Sequence, residues 1–357
     1  MISEQITRIK NAKAAIKQSI ENKGVTVSDE AKIGDYAALI DSIKVSSGGS
    51  GGDSEYEHPE YYEARTYGGI NYKGLFAYTS MDIDFLLYDS SKVTDMSNMF
   101  YLFGVDRANN RAITNLNSLD FSKVKSATSM FANSYVDNID LSGASFPELI
   151  DADKMASSLY SCKTIDMSNV DMPKVTDASY MFNVGASNNV TAINLTGINM
   201  PNITNATYMF EYCNKITSLD VSGINFSKVT NVNNMFGNCK LLVEIIGELD
   251  FSSVSNGLCS SSYANPFYKC DVLETVWIKN IYKNVTGMTN HAKYSINLSP
   301  TKVKDECLIQ IINELPDLIN DKGLTATDKI VLTLPTTNTL TDEQKQIAID
   351  KGWQVVN

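Results

Sequence analysis

TSLDVSGINFSKVTNVNNMFGNC, residues 217–239, is one complete unit of a pattern that recurs along the chain. Leu219 and Val221 alternate with polar neighbours, which is the period of a short, half-buried strand. An apolar stripe at nearly helical spacing follows, formed by Val229, Val232, Met235 and Phe236. The unit therefore predicts a strand, a loop and a short helix.

The Met-Phe pair of this unit, or a near relative of it, returns through the middle of the chain. The aromatic residues in question are Phe100, Phe131, Tyr160, Phe182, Phe210, Phe236 and Tyr268. A period in the twenties to low thirties is typical of a solenoid, in which each unit buries its apolar face against its neighbours. We therefore predict stacked strands in one parallel sheet and a repeat core that contains Phe100, Phe131, Phe182, Phe210 and Phe236.

Three units share residue types at fixed offsets: VTDMSNMF at 93–100, VTDASYMF at 175–182 and VTNVNNMF at 229–236. They resemble the BspA-like leucine-rich repeats of bacterial surface proteins, over roughly residues 70–298. The resemblance implies a curved α/β solenoid used for adhesion and protein contact, with no catalytic residues to transfer. The unit ending at Tyr160 lacks Met-Phe, and the unit ending at Tyr268 reads NPFY, so the repeat pattern does not predict regular curvature at these two units.

Residues 1–45 form a separate predicted module. An isoleucine stripe with four-three spacing predicts an amphipathic helix or a short self-associating seam, and its members are Ile2, Ile6, Ile9, Ile16 and Ile20. A second short helix from Asp35 to Ile43 would complete a helical hairpin. The module is similar to one that recurs in tail and other virion proteins of bacteriophages. That resemblance implies attachment to a particle, and the stripe also predicts oligomerisation.

The remaining boundaries follow from composition. Residues 46–54 are rich in Gly and Ser and predict a flexible linker. Residues 55–92 hold seven tyrosines and predict an N-terminal cap, with a binding patch as the alternative. The solenoid is assigned to 93–298 and a C-terminal cap to 299–357, with a helix from Ser299-Pro300, a capping box at Thr341 and Gln344, and strands at 329–334 and 353–356.

Composition limits the function classes. A formal net charge of −11 and a pI near 4.8 argue against nucleic-acid binding, which rewards clustered Lys and Arg. The N-terminus has no long apolar run, so neither a secretory signal nor membrane insertion is predicted. Two histidines leave almost no supply for His-based catalytic or metal sites, and we expect no enzyme activity and no cofactor. Cys162, Cys213, Cys239 and Cys270 follow the repeat aromatics and are expected to be buried thiols rather than disulfides.

Two sets of polar residues recur with the repeat. Asp140, Asp166, Asn194 and Asp220 alternate with buried strand residues, so they should form an outward polar column. Such a column can bind calcium or sugar hydroxyls, but a solvated face or a hydrogen-bonded ladder is favoured because no complete calcium-ligand set is present. The second set, Asp95, Asp177, Asn205 and Asn231, is expected to cap the predicted short helices.

These features lead to a bacteriophage virion protein as the first functional hypothesis. Its N-terminal module would contact other virion proteins, and its solenoid would be displayed on the particle as a fibre that binds a host-surface protein or glycan. A bacterial cell-surface adhesin of the BspA-like type is the alternative. A depolymerase acting on surface glycans through paired carboxylates ranks third.

Overall fold

The structure is a computed structural model. It describes residues 72–78, 83–85, 90–104, 113–185, 189–255, 258, 265–288, 294–325, 328 and 330–357, together with Lys17 and Ser28. Apart from Lys17 and Ser28, the predicted N-terminal module, including Ile2, Ile6, Ile9, Ile16 and Ile20, lies outside this part of the chain. So do the predicted linker and most of the tyrosine-rich segment.

Short parallel strands define the repeats. They are β1 (Ile83–Asp84), β2 (Ile113–Thr114), β3 (Asn138–Asp140), β4 (Thr164–Asp166), β5 (Ala192–Asn194), β6 (Ser218–Asp220), β7 (Glu244–Asp250) and β8 (Thr275–Lys279). They pair in parallel as β1–β2, β3–β4–β5 and β6–β7–β8. In β3 to β6 the middle residue is buried and its two neighbours face outward. The predicted solenoid of parallel strands is confirmed.

Consecutive repeats also pair away from these strands. Isolated parallel bridges form one row of Ser145, Asp171 and Asn199, and another of Asp95, Ser126, Asp151, Asp177, Asn205 and Asn231. Strands β5 and β6 belong to different sheets, but the bridges Met200–Ile224 and Asn205–Asn231 still join their repeats. The predicted single sheet is thus divided into several sheets. Where two strands do not pair, the isolated bridges supply the backbone pairing between the repeats.

The stretch around each core phenylalanine folds as consecutive turns, where the sequence predicted a short helix. In the repeat that ends at Phe182, the N–H groups of Ala178, Tyr180 and Phe182 donate to carbonyls of the next repeat. The N–H groups between them close turns: Met181 donates to the Ala178 carbonyl at 3.2 Å. A helix would use all these donors within one repeat, so pairing between repeats excludes it.

The predicted helix caps have a related local role. The side-chain oxygens of Asp95, Asp177, Asn205 and Asn231 each accept a hydrogen bond from the N–H two residues later, at 2.8 to 3.1 Å. This geometry is an Asx turn. These residues therefore initiate turns instead of capping helices, since no helix follows them.

Stacked phenylalanines form the centre of the core. Phe76, Phe100 and Phe131 stack with centroid distances of 5.6 and 5.0 Å. Phe182, Phe210, Phe236 and Phe267 form a second stack, with distances of 5.4, 5.5 and 6.0 Å and interplanar angles of 8° or less. The five phenylalanines predicted as repeat core are all fully buried.

Two repeats differ from the predicted register. The Phe131 N–H donates to the Met155 carbonyl and the Ala156 N–H donates to the Met181 carbonyl, so Ala156 occupies the core position between the two stacks. Tyr160, predicted for that position, is partly exposed and stacks on Tyr135 at 4.8 Å. Phe267, not Tyr268, continues the second stack. The Tyr160 assignment failed because it followed the nearest aromatic residue in a repeat without a core phenylalanine, and the Tyr268 assignment chose the second of two adjacent aromatic residues.

The C-terminal segment closes the end of the solenoid beyond β8. Helix α1 (Asp305–Glu314) packs against β8, and Gln310 exchanges hydrogen bonds with the Ile278 backbone at 2.8 and 3.4 Å. Strands β9 (Ile296–Asn297), β10 (Val331–Thr333) and β11 (Gln354–Val356) form a parallel sheet with helix α2 (Asp342–Asp350) beside it. The predicted capping box of Thr341 and Gln344 is present. The helix predicted to open at Ser299-Pro300 begins later, at Asp305, because residues 299–301 lie in a turn.

Candidate functional site

The polar column on the outward strand face is divided like the sheet. Asp140, Asp166 and Asn194 lie in register on β3, β4 and β5. Asp220 lies on β6, where its partner on β7 is the apolar Ile246. The structure therefore brings three of the four predicted residues together as neighbours and places the fourth in the next sheet.

Each residue of the column accepts a hydrogen bond from a backbone N–H of its own repeat. The Oδ1 atoms of Asp140, Asp166 and Asp220 accept the N–H two residues later at 2.9 to 3.0 Å, and Asn194 accepts at 3.2 Å. Burial alone would raise the pKa of Asp166, but hydrogen bonds from Ser168 and Asn194 hold that pKa below its usual value. Asp166 is thus stabilised as a carboxylate, which is unfavourable for a general acid.

Asn side chains of one repeat donate to Asp side chains of the repeat before it in three separate rows. The Nδ2 atoms of Asn194, Asn199 and Asn205 donate to Asp166, Asp171 and Asp177 at 3.2, 2.6 and 3.2 Å. A neutral amide beside each of these three carboxylates avoids like-charge repulsion with the following repeat, whereas Asp140 and Asp166 lie in register as two carboxylates. This part of the column has the geometry of a hydrogen-bonded ladder. Among the described residues no group of three or more His, Cys, Asp or Glu is placed to hold a metal ion.

A buried carboxylate, Glu211, was not found from the sequence. Asn183 and Asn238, from the repeats before and after it, donate to its two oxygens at 2.9 and 3.2 Å. Burial raises the pKa of Glu211 to about 7, against the opposing effect of these two amides. The nearby Tyr180 and Tyr208 rings stack at 4.6 Å, with the Lys154 ammonium 5.0 Å from the Tyr180 centroid. The only sequence signal was an acidic residue directly after a core phenylalanine.

Glu211→Gln is expected to reduce the loss of stability between pH 5 and pH 8. The unfolded carboxyl ionises near its ordinary pKa of 4.5, whereas the folded one stays protonated to about pH 7, so ionisation penalises the folded state increasingly across this window. Glutamine carries no charge and escapes that penalty. Melting temperatures from pH 4.5 to 8 would measure the effect, and we expect the variant to gain on the wild type as pH rises.

The control for this experiment is Glu148→Gln. Glu148 is exposed, and its hydrogen bond from Lys174, 2.7 Å long, lowers its pKa. Replacing Glu148 should have a weak effect in the opposite direction, because it removes an ion pair that stabilises the folded state above the ordinary pKa of glutamate. Equal pH profiles for wild type and Glu211→Gln would contradict the role of Glu211.

Three thiols stack in the interior. The Sγ atoms of Cys213, Cys239 and Cys270 donate to the carbonyls of Phe182, Phe210 and Phe236 at 3.4, 3.1 and 3.0 Å. All three cysteines are buried and free, as the sequence predicted. Burial raises the pKa of Cys239 and of Cys270. Cys162 is also buried and free, but it bonds the Thr164 carbonyl and lies outside this column, because Ala156 and not Tyr160 sets its repeat register.

The isoleucines on which the N-terminal attachment hypothesis depends lie outside the described part of the chain. No helix in the described part of the chain is long and apolar enough to cross a membrane.

A comparison with protein families matches this chain to the family described as Mycoplasma protein of unknown function, DUF285. Its model matches residues 70–165 and again 151–271, which together span more than half of the 357 residues. The match does not reach residues 1–45, so it gives no support to the bacteriophage module. No curated protein and no solved structure matches the chain.

Proposed function

Because this chain belongs to the DUF285 family, we propose that it is a non-enzymatic cell-surface adhesin of the BspA-like type. The matched repeats and the parallel-strand solenoid fit a BspA-like repeat protein. The observation that carries the proposal is that the family match coincides with the stacked repeats, whose strands hold an extended outward surface in register. A solenoid of this kind offers a long surface for protein contact.

The same observation ranks the other hypotheses. The virion hypothesis depends on residues 1–45, which the family match does not reach, so the adhesin replaces it as the leading proposal. A depolymerase needs a carboxylic acid with a raised pKa near a second carboxylate. In the polar column the pKa of Asp166 is lowered, and the carboxylates accept hydrogen bonds from their own turns. Glu211 has a raised pKa, but it is buried and its two oxygens accept hydrogen bonds from Asn183 and Asn238. These properties favour binding over glycan hydrolysis.

The proposal predicts surface exposure and adherence. An antibody raised against residues 113–185 should label intact cells of the source organism, and the soluble full-length chain should compete with those cells for attachment to a host-cell layer. Labelling confined to lysed cells would overturn surface display. Recovery of the chain from purified phage particles by mass spectrometry would return the virion hypothesis to first place.

A further inference from the structure

The outward face of the solenoid changes from polar to apolar at one repeat. Leu241, Val243 and Ile246 are 50, 38 and 42% exposed, although large aliphatic side chains elsewhere in the described repeats are mostly buried. Ile246 is in register with Asp220 and so continues the column that is polar in Asp140, Asp166 and Asn194. An exposed apolar cluster on an otherwise polar face is a mark of an interaction site.

The same exchange occurs in a second column. Backbone hydrogen bonds align Val243 with Thr217 of the repeat before it, and they align Thr191, Lys163 and Asp137 in the earlier repeats. These four residues are polar, and Val243 replaces them with an exposed aliphatic group. Two columns, at the positions of Val243 and Ile246, therefore turn apolar in the same repeat, which a single tolerated substitution does not explain.

A bulge in β7 extends the apolar cluster toward β8. The register between β7 and β8 shifts between Glu244 and Glu248, and Glu248 then pairs with Trp277. Trp277 faces outward between the buried residues Val276 and Ile278 and is itself only partly buried. Beside the bulge, an open groove of about 470 Å³ is lined by Asn225, Gly247, Glu248, Asp250 and Lys279, among others. The face thus offers aliphatic groups, an aromatic edge and an adjoining cleft.

Acidic residues adjoin this cluster, since Glu248 pairs with Trp277 and the Glu274 N–H donates to the Val243 carbonyl. Four of them are Glu244, Glu248, Asp250 and Glu274. Lys279 pairs with Glu248 at 2.7 Å and also lies close enough to Asp250 to attract it, and Lys304 pairs with Glu274 at 3.2 Å. Four acids against these two lysines leave a net negative charge. A negative rim around an apolar centre selects a partner whose apolar groups are flanked by positive charge.

We infer that Leu241, Val243, Ile246 and Trp277, with their acidic rim, form a docking surface for a protein segment that presents aliphatic side chains flanked by Lys or Arg. This inference rests on the proposed function and specifies the chemistry of the bound partner. A second copy fits poorly, since the chain carries a net charge of −11 and would oppose acid to acid. A saccharide also fits poorly, since sugars stack on open aromatic faces and this cluster is mainly aliphatic.

Tryptophan fluorescence of the full chain can report occupancy of the surface. The chain has two tryptophans, and Trp353 is buried at the C-terminal end, so a ligand at the surface should shift the emission of Trp277 alone. The probes are three synthetic octapeptides, of alternating Lys and Val, Glu and Val, and Lys and Ser. We expect the Lys-Val peptide to shift the emission and the other two to leave it unchanged, and Trp277→Phe should abolish the shift.

Calorimetry of the Lys-Val peptide with surface variants gives the second measurement. Ile246→Asp and, independently, Val243→Asp should weaken binding at least tenfold, whereas Ile150→Asp, at a residue 52% exposed elsewhere, should not. Melting temperatures confirm that each variant is folded. Equal binding of the peptide by wild type and both surface variants would overturn the inference, as would equal binding of the Lys-Val and Lys-Ser peptides.

Three further outcomes separate the alternatives. A dimer that dissociates on Ile246→Asp in light scattering would assign the surface to a second copy and overturn the inference. A Trp277 shift with maltoheptaose that is lost in Ile246→Asp would assign it to a saccharide, with the same consequence. If the soluble Ile246→Asp variant still competes with cells for attachment as the wild type does, the adhesin proposal stands and the docking surface is overturned. If the soluble wild-type chain does not compete with cells, the adhesin proposal alone is overturned.

Discussion

Replacing Phe210 with alanine is expected to lower the free energy of unfolding by about 3 to 5 kcal/mol, which is the usual cost of removing a fully buried phenylalanine ring. Phe210 is fully buried and stacks on Phe182 at 5.4 Å and on Phe236 at 5.5 Å. Its loss leaves a cavity between two rings. Since each repeat contacts only its neighbours, the cavity weakens both interfaces of one repeat.

Thermal and urea unfolding of the full chain would measure this effect, with Tyr160→Ala as the matched control. Tyr160 also belongs to a stacked aromatic pair, but it is 37% exposed, so its truncation should cost far less. Phe236→Ala should resemble Phe210→Ala, because Phe236 likewise lies between two rings. A wild-type melting temperature in both phenylalanine variants would mean that the repeat register is wrong.

The repeat and its buried phenylalanines were predictable because large aromatic residues that recur at a fixed period are buried in the core that neighbouring repeats share. The register failed where no such residue marks it. Ala156 occupies the core position of its repeat, as the backbone hydrogen bonds from Phe131 to Met155 and from Ala156 to Met181 reveal. A small residue carries no periodic signal, so the prediction moved to the nearest aromatic, Tyr160.

The short helices were predicted from a spacing that two structures share. Val229, Val232, Met235 and Phe236 are all fully buried, as a helical stripe would be. Consecutive turns bury the same positions while leaving alternate N–H groups free to pair with the next repeat. A local pattern does not contain the partner repeat, so it cannot distinguish the two structures.

The candidate sites show the same limit. The outward direction of Asp140 and Asp166 follows from alternation along a strand, and it was predicted. The burial of Glu211 depends on Asn183 and Asn238, which are 28 and 27 residues away in the chain. The exposure of Ile246 follows from its register with the outward-facing Asp220 of the preceding repeat, whereas an isoleucine in a strand-like sequence is normally assigned to the core. Both features arise from contacts between repeats.

Gly247→Ala is the second substitution with a large expected effect, a loss of about 2 to 4 kcal/mol of unfolding free energy from backbone strain and steric overlap together. Gly247 has φ +102°, a conformation that residues with a Cβ rarely adopt. A Cβ there would lie 2.9 Å from both the Cα and the N of Ser222 on the preceding repeat. These are backbone atoms, so relief requires β7 to move away from the repeat that it packs against.

Gly143→Ala separates the two contributions. Gly143 has φ +71°, but a Cβ at that position would meet no atom within 4 Å, so its alanine variant carries the strain of a left-handed residue, about 1 to 2 kcal/mol, without the overlap. Urea unfolding followed by Trp277 emission, on the strand next to β7, would compare the variants. The excess cost of Gly247→Ala over Gly143→Ala then measures how tightly the bulge is held against Ser222. Equal costs would show that β7 shifts freely, in which case the bulge does not fix the position of Ile246 and the docking surface next to it has no rigid support.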